Sequence, residues 1–68
     1  MAFKKITQTS ESQYIVIDTD VNILKVSSIK KSKLTCLSIC DKDGEHTTIL
    51  DLDEIRNILT NVIQFYEN

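Results

Sequence analysis

The 68-residue sequence has no proline, no tryptophan and one glycine, Gly44. Without proline, and with so little glycine, it has no composition for a flexible linker or a low-complexity tail. No internal repeat is present. No apolar run approaches the roughly 18 residues of a membrane span. The opening MAFKKITQ has two lysines but no apolar stretch behind them, so no secretory signal is expected. The cysteines number two, Cys36 and Cys40. On one strand their Cα atoms would lie about 13 Å apart at ~3.3 Å per residue, beyond the about 7 Å that a disulfide tolerates. On a helix they would also be poorly placed to bridge. Free thiols suit a reducing compartment, so a cytoplasmic protein is expected.

What is present suits one small domain, residues 1–68, with 41% hydrophobic residues and a net charge of −2. A chain this short has room for one modest core and no deep substrate cleft. Its negative charge disfavours nucleic-acid binding as a whole-molecule effect, although a local basic patch stays compatible with it.

The strongest local signal is the stretch Ile49–Tyr66, ILDLDEIRNILTNVIQFY. Asp51-Leu52-Asp53-Glu54 has the spacing of a capping box, and the acids favour the positive end of a helix dipole. Behind it Leu52, Ile55, Ile58, Leu59, Val62, Ile63 and Tyr66 recur at helical spacing. They cover an arc of roughly 140°, widened to about 160° by Phe65, whereas one sheet needs a stripe nearer 100°. The surplus flank, Ile58 and Phe65 or Ile63, can meet a second protein or a symmetry mate, or pack on Phe3 and Ile6.

Upstream, β-branched and aromatic runs separated by polar turns predict strands at 14–17, 22–29, 34–40 and 45–50, followed by a helix at 52–66. Phe3–Thr7 is a candidate short edge strand, and TSESQ reads as a loop. Asp41-Lys42-Asp43-Gly44 reads as a type I turn with Gly44 supplying the positive φ of a bulge. The predicted fold is α+β: a four-stranded antiparallel meander with one C-terminal helix packed on one face. Pairing Val16 with Leu24, Val26 with Leu37 and Leu37 with Ile49 collects Tyr14, Val16, Leu24, Val26, Leu37, Ile39 and Ile49 beneath the helix. The opposite face then carries Ile15, Ile17, Ile23, Lys25, Ser27, Cys36, Ser38, Cys40, His46 and Thr48. A single helix shields one face only, so Ile15, Ile17 and Ile23 are expected as an exposed apolar contact patch; the alternative is that the N-terminal segment folds over them.

Chemistry-bearing combinations are sparse. In this register Cys40 and His46 are cross-strand neighbours, a pairing used by thiol nucleophiles and zinc sites. No orienting group or oxyanion pocket accompanies them, and Cys36 and Asp41 make an inadequate remainder for zinc. Neither a metal nor a cofactor is therefore expected. Asp41–Glu45 resembles the start of a calcium loop, but the later ligands are missing. Asp51, Asp53 and Glu54 fit capping roles, with no base placed opposite. The charges sort by end: Asp18, Asp20, Asp41, Asp43 and Glu45 at one, Lys30, Lys31 and Lys33 at the other. The plain reading is solvated turns; the functional one is steering toward a charged partner.

The order of four strands and a helix, with Ile49–Leu59 running from a strand through a small capping residue and acids to an apolar anchor, is similar to single-stranded-DNA-binding transcriptional coactivators of the positive-cofactor type. That resemblance implies dimerisation through helices. Those proteins carry a basic sheet with stacking aromatics and a Gly/Lys-rich approach to the last strand; here the approach is His46-Thr47-Thr48 in an acidic chain, and no binding residue is carried over.

Two functions are expected in order. The first is a non-enzymatic protein-binding module, a regulator or inhibitor of the phage or mobile-element type, acting through Ile15, Ile17 and Ile23 with Asp18, Asp20, Asp41 and Asp43. The second is a dimeric single-strand nucleic-acid binder using Lys25, Lys30, Lys31 and Lys33, with Tyr14 stacking on bases. Another protein, a second copy included, is the expected partner; no membrane is.

Overall fold

The computed structural model describes residues 3–68. Five strands, β1 (Phe3–Gln8), β2 (Ser12–Asp18), β3 (Ile23–Ile29), β4 (Leu34–Asp41) and β5 (Gly44–Asp51), precede one helix, α1 (Leu52–Glu67). The strands form one antiparallel sheet in the order of the sequence, each paired only with its neighbours in the chain. The α+β meander expected from the sequence is therefore present, with the N-terminal segment as a full fifth strand.

Turn chemistry sets the register. Thr9 and Thr19 perform the same task in successive turns. Each Oγ1 accepts from the backbone N–H three residues on, at 3.0 Å from Ser12 and 3.1 Å from Asn22. Each backbone N–H donates back to the carbonyl of that residue, at 2.8 and 2.9 Å. Such side-chain turns replace ladder bonds and close four-residue loops. The third turn ends on Lys33, held at φ 56°, whose N–H donates to the Ile29 carbonyl. The fourth is the Asp41–Gly44 turn: Asp43 N–H donates to the Asp41 carboxylate at 2.8 Å and Gly44 sits at φ 128°, but Asp41 pairs directly with Gly44, so the expected bulge is absent.

These turns correct the expected register by one residue at two of three hairpins. Val26 does pair with Leu37, but Leu24 pairs with Ile17 rather than Val16, and Leu37 with Thr48 rather than Ile49. The first face thus gathers Ile6, Ile15, Ile17, Leu24, Val26, Leu37, Ile39 and Leu50, whereas Tyr14, Val16, Ile23 and Ile49 point the other way. A one-residue slip exchanges faces because the strand period is two. In β2 both phases, Tyr14/Val16 and Ile15/Ile17, are apolar, so hydrophobicity alone does not choose between them.

The helix begins without a loop. Asp51 is both the last residue of β5 and the N-cap: its carboxylate accepts from Glu54 N–H at 2.8 Å, and Glu54 accepts from Asp51 N–H at 3.1 Å. Leu52 N–H donates to the Lys33 carbonyl, fastening the helix start to the third turn. The expected packing of the helix over one sheet face is not found. The helix approaches only β4 and β5, no residue in it is buried, and Ile55 alone is half-buried. A βα connection normally spends two to six residues reversing the chain; this one spends none, so the helix has no turn in which to fold back over the sheet.

No apolar side chain is buried among the described residues, and Ser38 is the one buried polar residue. The radius of gyration is 13.3 Å, against about 11 Å for a compact domain of this length. The described residues form a sheet and a helix but no apolar interior.

Candidate functional site

The first sheet face is built from three cross-strand rows. Nearest the helix end run Gln8, Gln13, Ser28, Thr35 and Leu50. This row is mainly polar, with Gln13 donating to Gln8 at 2.8 Å and the Ser28 and Thr35 hydroxyls 3.0 Å apart. Next come Ile6, Ile15, Val26, Leu37 and Thr48, then Lys4, Ile17, Leu24, Ile39 and His46. The centre of the face is apolar, and its only titratable side chains, Lys4 and His46, stand on the two edge strands. Ile6 and Ile39 are exposed, and the apolar residues between them are half-covered by one another.

The helix carries a matching stripe. Ile58, Leu59, Val62 and Ile63 are each about half exposed, and Phe65 and Tyr66 more so, at 77% and 81%. Phe65 and Tyr66 meet edge to face, with ring centroids 5.7 Å apart. A groove of about 470 Å³ separates Leu52 and Ile55 from the polar row and from the Thr9–Glu11 and Lys30–Lys33 turns. The chain's own helix therefore lies beside the polar row, and its apolar stripe continues past the sheet contacts.

The second face is mixed. Lys25 lies 3.8 Å from Glu45, which accepts a hydrogen bond from Ser38; Thr47 in turn donates to Ser38 at 3.3 Å. Hydrogen bonding to Cys40 and the charge of its thiolate, followed by the charge of Glu45 and then of Tyr14, hold Lys25 above the ordinary ammonium range. The Ser38 hydroxyl first, then Cys40 and Lys25, hold Glu45 below the ordinary carboxylate range. This is a part-buried structural network centred on Ser38.

The sequence-predicted site residues divide as follows. Ile15 and Ile17 lie together on the apolar face, but Ile23 is on the opposite one, paired with Asp18 and Cys40. Asp18 and Asp20 flank the second turn, and Asp41 and Asp43 the fourth, all at the sheet end away from the helix. Lys30, Lys31 and Lys33 occupy the third turn, beside the helix start. Lys25 is near Tyr14 on the mixed face, away from that turn. Cys40 and His46 are not partners: Cys40 pairs with Glu45 and His46 with Ile39, on opposite faces. Both cysteines are free. Among the described residues no group of three or more His, Cys, Asp or Glu side chains is placed to hold a metal, and no helix is long and apolar enough to cross a membrane.

No family model, curated protein or solved structure matches this chain.

Residues missed by sequence reasoning are Ile6 and Leu50, both on the apolar face. The signal that could have found Ile6 is the Thr9-x-x-Ser12 spacing, repeated at Thr19-x-x-Asn22, which sets the first two turns; Leu50 follows from the Asp41–Gly44 turn closing without a bulge.

Proposed function

We propose that this chain is a non-enzymatic protein-binding module, a small regulator or inhibitor that works by covering its apolar sheet face and helix stripe with another polypeptide. One observation carries the reading: none of the described apolar side chains is buried within the chain itself. Its accessible surface is 5754 Å², about 1,400 Å² more than the roughly 4,400 Å² expected of a compact protein of 7.8 kDa. Contiguous apolar surface rimmed by polar residues marks an interaction site. Ile15 and Ile17 belong to that surface, and the acidic turns carrying Asp18, Asp20, Asp41 and Asp43 border it at one end. They suit steering toward a basic partner surface in a reducing, cytoplasmic setting.

The test is the intact mass of the assembly recovered from the cells that encode the protein, with Ile17→Asp as the comparison. An assembly of defined stoichiometry that is lost in the variant supports the reading. A free monomer that leaves an apolar-surface dye dark would overturn it.

A second reading is favoured by Tyr14 and Lys25 standing near one another on the mixed face, with Lys30, Lys31 and Lys33 at the sheet end: binding of single-stranded nucleic acid by stacking and phosphate contact. The affinity would then fall with salt, at a slope of roughly −0.7 per neutralised phosphate. Docking on a protein through the apolar face would not show that slope.

A further inference from the structure

We infer that the polypeptide covering the apolar face is a second copy of this chain, with the helix of each copy lying over the sheet of the other about a twofold axis. The inference rests on the binding-module reading and names its occupant.

The placement of the apolar rows is the first argument. The helix starts beside the polar row of Gln13, Ser28 and Thr35 and touches only β4 and β5. The rows that need a cover, centred on Ile15, Ile17, Val26 and Leu37, lie farther along the sheet. The chain's own helix does not cover them, since no helical residue is buried. The stripe that needs a sheet, centred on Leu59 and Val62, is more exposed than the rows, which are half-buried by their own neighbours in the sheet. Each copy therefore presents both halves of one helix-on-sheet layer without being able to join them. Two copies join both pairs at once, which is the self-complementarity that a twofold interface requires.

Area is the second argument. An excess of about 1,400 Å² per chain, removed from both copies, gives an interface of about 2,800 Å², inside the 2,000–5,000 Å² range of obligate homodimers. Length agrees as well: a 16-residue helix is about 24 Å long, enough to cross five strands spaced at about 4.8 Å.

Charge is the third. The acidic residues of each copy stand in the end turns, along the helix and, for Glu45, on the mixed sheet face, and the apolar rows meet charge only at Lys4 on one edge and His46 on the other. Two chains of net charge −2 can thus close these surfaces without bringing acids together. A basic hetero-partner would gain from the acidic turns, but it would have to supply both a sheet and a helix.

Sedimentation equilibrium of the purified full chain, together with thermal melts over a hundredfold range of concentration, tests this. The expected results are a mass twice that of the chain and a Tm that rises by roughly 5–10 °C across the range, because folding and association are coupled. Val62→Asp should abolish the dimer, either leaving a monomer or unfolding the chain, while Gln64→Glu on the polar side of the helix should leave mass and melt unchanged. A dimer that survives Val62→Asp would overturn the helix-on-sheet arrangement. A folded monomer with a concentration-independent Tm that still binds an apolar-surface dye would overturn the second copy as occupant and leave the binding module standing. A monomer that binds no dye would overturn both.

Discussion

Lys33 and Gly44 are the two positions where the backbone turns left-handed, and they are filled by opposite solutions. An L-residue in that region carries about 1–2 kcal/mol of steric cost, which glycine avoids at some expense in chain entropy. Lys33→Gly should therefore raise stability by up to about 1 kcal/mol, read from urea unfolding at constant m value. Gly44→Ala should lower it by about 1 kcal/mol; a Cβ there would meet nothing within 4 Å, so the loss would come from backbone conformation alone. The Ser38 network adds a pH signature. Glu45 titrates lower in the folded chain than in the unfolded one, so its contribution is present above the ordinary carboxylate pKa and fades as pH falls through the folded value. A Tm profile over pH 2–7 should drop less steeply in acid for Glu45→Gln than for the parent. Ser38→Ala should move the same limb, since the hydroxyl is the main cause of the shift.

At the level of elements, the helix depends on its cap to an unusual degree because little else holds it. Replacing Asp51 by alanine should cost about 1 kcal/mol, while Asp51→Asn should cost much less, since an amide oxygen also caps. Circular dichroism and thermal melts of the two variants would show whether the cap is what separates them. The cap was the most legible feature of the sequence, as it depends on four adjacent residues. Strand order and the positive φ of Gly44 were legible for the same reason, although the ladder there closes without the expected bulge. Register was not: Tyr14-Ile15-Val16-Ile17 is apolar in both phases, and the choice rests on two threonine hydroxyls whose turn role is written in spacing, not hydropathy. The Cys40–His46 pair was a product of the separate slip in the β4–β5 hairpin, where the expected bulge is absent, and vanished with it.

The molecule as a whole explains why the proposed binding surface was legible only in part. The sequence points to surplus apolar area, and Ile15 and Ile17 do lie on it. It does not reveal that the helix would leave its own sheet uncovered, because that follows from the absence of a loop between β5 and α1, a matter of chain reversal. The breadth of the helical stripe was the nearest hint: an arc of about 160° is more than one sheet occupies.

The meander has a consequence in time. Since every strand pairs only with the strand beside it in sequence, the sheet can assemble hairpin by hairpin through short-range contacts, each on a scale of roughly microseconds. In the proposed dimer, hiding that sheet requires an encounter between two molecules. Refolding should accordingly show a fast phase indifferent to protein concentration, followed by a slower one whose rate increases with it. Between the two phases stands an exposed apolar sheet with two bare edges, so dilution during refolding should govern yield more than temperature does.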